Sequence, residues 1–432
     1  MSVVDKIKNL IDEIESDKSV LMYSYNTSDI IPGETPIYYS GPYWDSDELK
    51  AGVVSFLTGK WLSSGENVYK FEKKFSKRFK CGNSVMVNSG SSANLVMIAG
   101  IKKHLKWNDG DEIIVSPVGF PTTIAPIVQN NMTPIFVDIE FDTLNFDVKL
   151  IEKKITSKTR GIFLSPVLCN PFNMDFLAYL CKKYNLELIL DGCDSLGTLW
   201  NGKYLTEMAK VSSCSFYPAH HITCGEGGMI SSTDEDLISM VRSFSWWGRD
   251  CYCVGSANLL ACGTCGNRFD KWLEPMYDGI VDHKYIFTNM GYNLKPLDLQ
   301  GALGLEQLKK FDFIEEKRRE SRERVSKIFE DNLDIKVPIQ LDQADTSWFG
   351  TPIICKDKEQ KDKIVSHLEE HKIQTRNYFA GNILIHSGYS HLDDYKLYPN
   401  SNEVLDRIFF VGAAPHYNDD VFQYIEDVVR KI

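Results

Sequence analysis

The chain has 432 residues, of which 43% are hydrophobic and 25% are charged, and its net charge is −11. This composition is typical of a globular protein and excludes disorder, collagen and coiled coil for the chain as a whole. The acidic balance argues against a general nucleic-acid-binding protein, which would normally carry a basic patch. No apolar run is long enough to cross a membrane, and residues 1–20 lack the apolar core of a signal peptide. We therefore expect a cytoplasmic protein that binds neither membranes nor nucleic acids.

Strand-like and helix-like patterns alternate along residues 82–235. Short apolar runs rich in β-forming residues predict buried strands at 112–118, 133–140, 160–167, 187–192 and 211–217. Apolar residues at helical spacing predict helices at 91–105 and 174–184. This alternation favours an α/β fold of right-handed βαβ units, with a mainly parallel sheet and helices on both faces. In such folds ligands bind at the carboxyl ends of the strands.

The second half of the chain departs from this alternation. Residues 243–290 are aromatic and rich in glycine and cysteine without a clear period, and a loop of this length is usually functional. Residues 297–330 predict a long helix whose later charges we expect to form a solvated face. The predicted division is an N-terminal helical segment at 1–45, a large cofactor-binding domain at 46–295, and the long helix with a small α/β domain at 296–432.

The composition has one unusual feature, its eleven cysteines. In a reducing compartment a disulfide framework is not expected. Six are scattered along the chain and are expected in the core or without a role: Cys81, Cys169, Cys181, Cys214, Cys224 and Cys355. Four others lie in one short window, at Cys251, Cys253, Cys262 and Cys265. Four thiolates suit either structural zinc or a [2Fe–2S] cluster, and the window alone does not separate the two.

Two motifs place polar groups at predicted strand ends. Within residues 88–95, Gly90 and Ser91 lie between a strand and a helix start, where backbone N–H groups and a hydroxyl suit a phosphate. A serine helix cap explains this motif equally well. Asp191 ends the strand at 187–192, and a buried carboxylate needs a partner such as a protonated pyridine nitrogen. A helix cap or an ion pair is the ordinary alternative for this residue.

A third motif follows the next strand, at residues 215–230. Ser215 can bind a phosphate, and the glycines of this segment allow a tight path of the chain close to a ligand. His220 lies in this glycine-rich turn, where chemistry would occur, although a lone histidine is more often structural.

The motifs together resemble the sugar aminotransferase/dehydratase family of pyridoxal phosphate (PLP)-dependent, fold type I enzymes. The sequences NSGSSANL, LILDGCD, SFYPAHHITCGEGG and GYNLKPLDLQGALGLEQL follow one another in the order of that family between about residues 40 and 310. The resemblance implies an aspartate aminotransferase-like fold with a seven-stranded, mainly parallel sheet and a smaller C-terminal α/β domain. Aminotransferases of the family have a Schiff-base lysine where this chain has His220. Because histidine cannot form that bond, we expect non-covalently held pyridoxamine 5′-phosphate (PMP), with His220 as the catalytic base for elimination.

Histidine at this position and the cysteine window resemble one branch of the family, the CDP-4-dehydro-6-deoxyglucose 3-dehydrases. The resemblance implies removal of the carbon-3 hydroxyl of a nucleotide-linked 4-keto-6-deoxyhexose, for the 3,6-dideoxysugars of lipopolysaccharide O-antigens. It also implies a [2Fe–2S] cluster and a separate flavin and iron–sulfur, NAD(P)H-dependent reductase as partner. The alternatives are a cluster-free, glutamate-recycled 3-dehydratase of a related nucleotide sugar, and a non-catalytic zinc-bound relative.

The branch pattern implies four thiolate ligands, which here would be Cys193, Cys251, Cys253 and Cys265. The fourth position has a rival, since eight residues separate Cys253 from Cys262 and eleven separate it from Cys265, against seven in the branch pattern. Spacing therefore favours Cys262, whereas alignment on residues 264–269 favours Cys265. We expect Cys265, with Cys262 as the alternative. Cys193 would place the cluster close to the organic cofactor, which favours iron–sulfur over zinc.

Further roles follow from the resemblance alone. Phe120 matches the position of a ring that stacks on the pyridine, and Asp194 and Tyr217 flank the cofactor position. Asn293 would reach the phosphate from the partner subunit, which implies a homodimer with shared sites. Arg376 could pair with the diphosphate of the substrate. The structural alternatives are packing for the first three, a turn for Asn293 and an exposed ion pair for Arg376.

Overall fold

The structure is a computed structural model that describes residues 2–16, 30–59, 61–251, 266 and 268–432. Its helices are, in chain order, α1 Val3–Ser16, α2 Ser46–Thr58, α3 Glu66–Arg78, α4 Gly90–His104, α5 Pro121–Gln129, α6 Val148–Ile151, α7 Met174–Tyr184, α8 Glu235–Ser245, α9 Asp298–Asn332, α10 Lys358–Glu370, α11 Pro399–Arg407 and α12 Asp419–Val429. Of these helices, none combines the length and the apolar character needed to cross a membrane.

The strands alternate with these helices through the first half of the described chain. They are β1 Asn83–Val87, β2 Glu112–Val115, β3 Thr133–Phe136, β4 Thr159–Leu164, β5 Glu187–Asp191, β6 Leu199–Trp200, β7 Lys203–Tyr204, β8 Val211–Ser215, β9 Gly228–Ser232, β10 Phe269–Asp270, β11 Val281–Asp282, β12 Ala344–Asp345, β13 Gly350–Ile354, β14 Arg376–Asn377 and β15 Ile408–Gly412.

Seven strands form the central sheet in the order β1-β9-β8-β5-β4-β2-β3. The neighbours from β8 through β3 pair in parallel, and β9 runs antiparallel to both β8 and β1. The predicted α/β class with a mainly parallel sheet is therefore confirmed. Each predicted strand is present but ends a few residues earlier than expected, because its last residues leave the sheet at the carboxyl edge.

The sheet is buried on both faces, as a parallel sheet covered by helices must be. Alternate residues of one strand enter different hydrophobic clusters, so that Ile114 packs on one side while Ile113 and Val115 pack on the other. The two faces of the strand are thus apolar throughout, which explains why the sequence shows continuous apolar runs. Such burial contributes roughly 1.5–3 kcal/mol for each large aliphatic side chain.

The C-terminal part is built on a second sheet, in which β13 and β14 flank β15 in antiparallel pairs. Its core packs against the later turns of α9 through Val325 and Phe329, both fully buried. The C-terminal domain expected from the sequence is present. The predicted boundary at residue 295/296 stays a prediction.

Gly228 allows the start of α4 to approach the sheet closely. A Cβ on Gly228 would lie 2.3 Å from the carbonyl oxygen of Ser89 and 2.8 Å from the amide nitrogen of Gly90. Ser89 caps α4, since its Oγ accepts a hydrogen bond of 3.1 Å from the N–H of Ser92. Only glycine at position 228 leaves room for this helix end above β9.

The substitution Gly228→Ala should therefore destabilise the protein by about 1–3 kcal/mol, because its obstacle is backbone that cannot rotate away. Chemical denaturation followed by circular dichroism measures the free energy of unfolding. Gly388→Ala is the matched control, since a Cβ there meets no atom within 4 Å. Equal stability of the two variants would contradict the close approach.

Candidate active site

A cavity of about 890 Å³ opens where the parallel strands of the central sheet end. This is the location at which ligands of open α/β sheets bind. The structure brings ten of the sequence-predicted site residues into its lining: Gly90, Ser91, Phe120, Asp191, Cys193, Asp194, Ser215, Tyr217, His220 and Arg376. These residues come from separate segments of the chain, so their convergence is a result of the fold.

Asp191 lies at the floor of the cavity and is only 3% exposed. Its Oδ2 accepts hydrogen bonds from Asn94 Nδ2 at 2.8 Å and from Thr123 Oγ1 at 2.6 Å. Its Oδ1 accepts one from the N–H of Cys193 at 3.2 Å. Within the described residues no lysine, arginine or histidine forms an ion pair with this carboxylate. A cationic group bound in the cavity would supply the missing opposite charge.

Gly90 brings the start of α4 against the end of β8. A Cβ on Gly90 would lie 2.6 Å from Ser215 Cβ and 2.9 Å from both Ser215 Oγ and Cys193 Sγ. Ser91 follows with its hydroxyl exposed and donating to Thr122 Oγ1 at 3.1 Å. Free N–H groups at this helix start and the hydroxyls of Ser91 and Ser215 therefore face one small space, as an anion site requires.

His220 and Asp194 lie next to each other in the wall of the cavity. The distance from His220 Nδ1 to Asp194 Oδ1 is 3.6 Å, longer than a hydrogen bond, and the side chains are 14% and 13% exposed. Leu168 holds Asp194 from behind, through an N–H that donates to Oδ2 at 3.3 Å. The His220 ring packs 5.2 Å from that of Phe349. This arrangement holds an imidazole next to a carboxylate in a mainly apolar pocket.

Burial sets the protonation of this pair. Desolvation, assisted by the nearby Arg318 cation, lowers the pKa of His220 to about 3, which favours the neutral imidazole. Desolvation and the charge of Asp191 raise the pKa of Asp194 to about 7. Burial thus favours the neutral form of His220 near neutral pH.

The mouth of the cavity is aromatic and was largely missed by the sequence analysis. Phe120, which is 51% exposed, stands edge-to-face with Phe379 at 6.2 Å. Arg376 lies 4.3 Å from the centre of the Tyr39 ring. These partners lie far apart in the chain, so only the fold reveals them. The sequence analysis also missed Asn94 and Thr123. For Asn94 a signal was available, because this asparagine belongs to the motif NSGSSANL.

Some predicted site residues lie elsewhere. Asn293 is exposed and does not line the cavity. Cys251 is 5% exposed and packs with Trp246. The other three cysteines of the window, Cys253, Cys262 and Cys265, lie outside the described residues. Over the part of the chain that the structure describes, no group of three or more potential metal ligands occurs. The four-cysteine site therefore stays a prediction.

The expectation that the late charges of the long helix form a solvated face is wrong for Arg318. This side chain is fully buried. Its guanidinium donates to the carbonyl oxygens of Phe349 and Ala219 at 3.1 and 2.9 Å. Its burial was not visible in the sequence because it depends on backbone carbonyls supplied by two distant segments.

Residues 44–430 match the DegT/DnrJ/EryC1/StrS aminotransferase family. The chain belongs to this family. A dTDP-4-dehydro-2,6-dideoxy-D-glucose 3-dehydratase of Saccharopolyspora spinosa is 37% identical over 410 residues, which cover 93% of this chain and 87% of that one. The lipopolysaccharide biosynthesis protein RfbH of Salmonella typhimurium is 34% identical over 407 residues, covering 91% of each chain.

A solved structure is similar over nearly its whole length. It is the E. coli GDP-4-keto-6-deoxy-D-mannose-3-dehydratase with bound hydrated PLP, with a TM-score of 0.79 and 28% identity, covering 91% of this chain and 99% of that one. The predicted fold of PLP-dependent aminotransferases is confirmed, as is the predicted enzyme class, a 3-dehydratase of the PLP-dependent family.

The raised pKa of Asp194 predicts a pH-dependent effect of Asp194→Asn on stability. Since the folded-state pKa of about 7 exceeds the unfolded value of 3.8, the wild type loses stability as pH rises from about 4 to 7. The variant lacks this loss. The difference in unfolding free energy, variant minus wild type, should therefore be more positive at pH 8 than at pH 5 by on the order of 1–4 kcal/mol. Denaturant titration of the cofactor-free protein at both pH values measures this. A pH-independent difference, as expected for the exposed-carboxyl control Asp420→Asn, would contradict it.

Proposed function

We propose that this chain is a PMP- and [2Fe–2S]-dependent dehydrase that removes the carbon-3 hydroxyl of a nucleotide-linked 4-keto-6-deoxyhexose. The observation that carries the proposal is the largely buried His220 in the glycine-rich turn of the cavity, at the position of the family's lysine. A lysine there would hold the cofactor covalently and favour transamination. Histidine leaves the cofactor free and provides a base. The names of the Saccharopolyspora spinosa and E. coli proteins support the 3-dehydratase class.

The cavity fits the phosphate and the pyridine ring of the cofactor. Gly90, Ser91 and Ser215 form the anion site at the start of α4. Asp191 is a buried carboxylate without a cationic partner among the described residues, and a protonated ring nitrogen would match it. Phe120 presents an exposed ring at the mouth of the cavity, suited to stack on a planar group. These residues are therefore the proposed cofactor ligands.

The residues of the chain then divide the work of elimination. When bound, the cofactor supplies the amine that engages the sugar's keto group and the ring that accepts electron density. His220 takes a proton as a neutral imidazole, and Asp194, when ionised at 3.6 Å, stabilises the resulting imidazolium. Tyr217 and Phe349 cover the imidazole and limit the access of water. Burial among these side chains favours the unprotonated form of the base.

The mouth of the cavity suits an anionic, nucleotide-linked substrate. Arg376 lies there over the Tyr39 ring, with Asn377 beside it, so that a cation and an amide face the opening. Arginine can pair with a diphosphate by two parallel hydrogen bonds. We propose CDP-4-dehydro-6-deoxyglucose as the substrate, on the resemblance to the CDP-sugar branch. The product class is a 3,6-dideoxysugar precursor for surface lipopolysaccharide.

Cys193 supports the cluster in the proposal. Burial and the neighbouring Asp191 raise the pKa of its thiol well above the usual range. A bare thiolate is therefore disfavoured here, and iron would compensate its charge. The sulfur of Cys193 lies close to Gly90 in the wall of the cavity, so a cluster bound to it would adjoin the cofactor. The proposed ligands are Cys193, Cys251, Cys253 and Cys265, with Cys262 as the alternative to the last. A flavin and iron–sulfur reductase is the proposed electron donor.

The proposed assembly is a homodimer in which each subunit completes the other's site. Asn293 is exposed and outside its own cavity, as a residue that reaches a partner would be. Trp61, Leu62 and Leu297 are each more than half exposed, and the N–H of Asp298 donates to the Leu62 carbonyl at 2.9 Å, so the two segments adjoin. Exposed large apolar side chains on adjoining segments are typical of an interface.

Protein purified without air should be brown and contain about two irons per chain. Cys193→Ser should lose this iron, because one of four thiolates is removed, while Cys355→Ser, buried in the core of the C-terminal sheet, should keep it. Iron analysis and visible absorption measure both. Colourless wild type that contains zinc would contradict the cluster. Iron-free turnover supported by glutamate would identify the cluster-free alternative.

His220→Asn should lower the rate of carbon-3 deoxygenation by about 10²–10⁴-fold, the usual contribution of a general base. The assay supplies PMP, a reductase and the CDP-, GDP- or dTDP-linked 4-keto-6-deoxyhexose, and detects the 3-deoxy product by mass spectrometry. Binding of PMP should persist in the variant, because the proposed ligands Asp191 and Ser215 are intact. Undiminished turnover would exclude His220 as the base, and preference for another nucleotide would correct the substrate.

A further inference from the structure

Arg318 lies directly behind the turn that carries His220. It projects from α9, and its side chain is 0% exposed. Its Nη2 donates to the carbonyl oxygens of Ala219 at 2.9 Å and of His220 itself at 3.3 Å. Its Nη1 donates to the carbonyl oxygen of Phe349 at 3.1 Å. One guanidinium therefore binds the backbone on both sides of the imidazole.

These contacts fix the direction in which His220 points. The Ala219 carbonyl also accepts from Ser40 Oγ at 2.7 Å, and the His220 N–H donates to the Tyr217 carbonyl at 3.0 Å. The backbone of the turn is thus held from both faces. The carbonyl of Phe349 accepts the hydrogen bond from Arg318 Nη1. The ring of the same residue packs 5.2 Å from the His220 ring. A planar fork is suited to hold two separate carbonyls at once.

The charge of Arg318 has no carboxylate partner within ion-pair distance among the described residues. The titratable groups around it and around His220, taken from each neighbouring element, are Tyr217, His221, Asp194, Cys169, His416 and Tyr417. Of these, only the carboxyl of Asp194, the phenols of Tyr217 and Tyr417 and the thiol of Cys169 can carry a negative charge. Burial raises the pKa of Cys169 and of Tyr417, which disfavours their charged forms. The cation therefore acts on the histidines and on Asp194.

That action has a definite sign. Arg318 lowers the pKa of His220, His221 and His416, in each case as the second cause after burial. The charge thus favours the neutral form of the imidazole, which is the form that accepts a proton.

We propose that Arg318 is a positioning residue for His220, whose guanidinium fork aims the imidazole into the cavity and places a positive charge behind it. The inference rests on the proposed role of His220 as the base. Arg318 does not line the cavity, so it acts on His220 through the turn and through its charge.

The charge is tested with a lysine reporter that does not depend on turnover. In a His220→Lys background the introduced amine condenses with the aldehyde of added PLP, forming a C=N bond and releasing water, and the absorption of this imine changes with its protonation. Adding Arg318→Met should raise the midpoint of that pH titration by one or more pH units, because a nearby cation is removed. Arg318→Lys should keep the midpoint, since it keeps the charge.

The fork is tested in the His220 protein by kinetics. Arg318→Met and Arg318→Lys should both lower kcat by tenfold or more while KM changes less than threefold, because the base is misdirected but substrate contacts remain. Arg322→Met is the matched control on the same helix. Its guanidinium lies 4.4 Å from the Trp348 ring and donates to the Pro338 carbonyl, away from the turn, so midpoint and kcat should stay at their reference values.

Two results would overturn the proposal. Folded Arg318→Met with an unchanged midpoint would remove the role of the charge, and Arg318→Lys with wild-type kcat would remove the role of the fork. If Arg318→Met does not fold, Arg318→Gln provides the neutral variant. Failure of the proposed function is distinguishable, because His220→Asn would then retain turnover while the PLP titration still reports the charge.

Discussion

The buried carboxylate of Asp191 is the constraint around which the cavity is arranged. A carboxylate this far from water costs several kcal/mol unless every oxygen is satisfied. Its oxygens draw hydrogen bonds from Asn94 on α4, Thr123 on α5 and the backbone of Cys193 beyond β5. Three elements are thereby fixed around one charge. The anion site at the start of α4 and the aromatic mouth take their positions from this arrangement.

The electrostatics of the cavity are those of two acids opposed by one distant cation. Asp191 and Asp194 share a desolvated space, and burial together with the charge of Asp191 raises the pKa of Asp194 to about 7. Arg318 lies outside the cavity and reduces this conflict without occupying the space that a ligand needs. A positive ring nitrogen at Asp191 would reduce it further. The charges of the site therefore favour a bound cationic group over solvent.

The parts that could be predicted from sequence are those encoded locally. Asp191 ends β5, while Gly90 lies three residues beyond β1 and His220 five residues beyond β8. The run of apolar residues before each of them therefore indicates the sheet edge at which they meet. Their convergence follows from the parallel arrangement of strands. The same logic gave the fold class and the long helix, because periodicity is a property of contiguous residues.

The parts that could not be predicted depend on contacts between distant segments. Tyr39 and Phe349 resemble any aromatic residue in the sequence, and only tertiary packing makes them walls of the cavity. Arg318 lies among other charges on a helix, where a solvated face is the ordinary expectation. Its burial depends on the carbonyls of Ala219 and Phe349, which no local pattern announces.

The cavity wall joins parts of the chain that lie far apart in the sequence. Ile37 pairs with Ile373, and the N–H of Ile383 donates to the Pro117 carbonyl at 2.9 Å, so three regions of the chain meet beside the mouth. A ligand that touches all three binds only when they are assembled. Its binding free energy is then added to the stability of the assembled regions, so that filling the cavity raises the free energy of unfolding of the large domain and of the C-terminal sheet together. Occupancy of the cavity thus contributes to the stability of both parts of the fold as well as to the chemistry of the site.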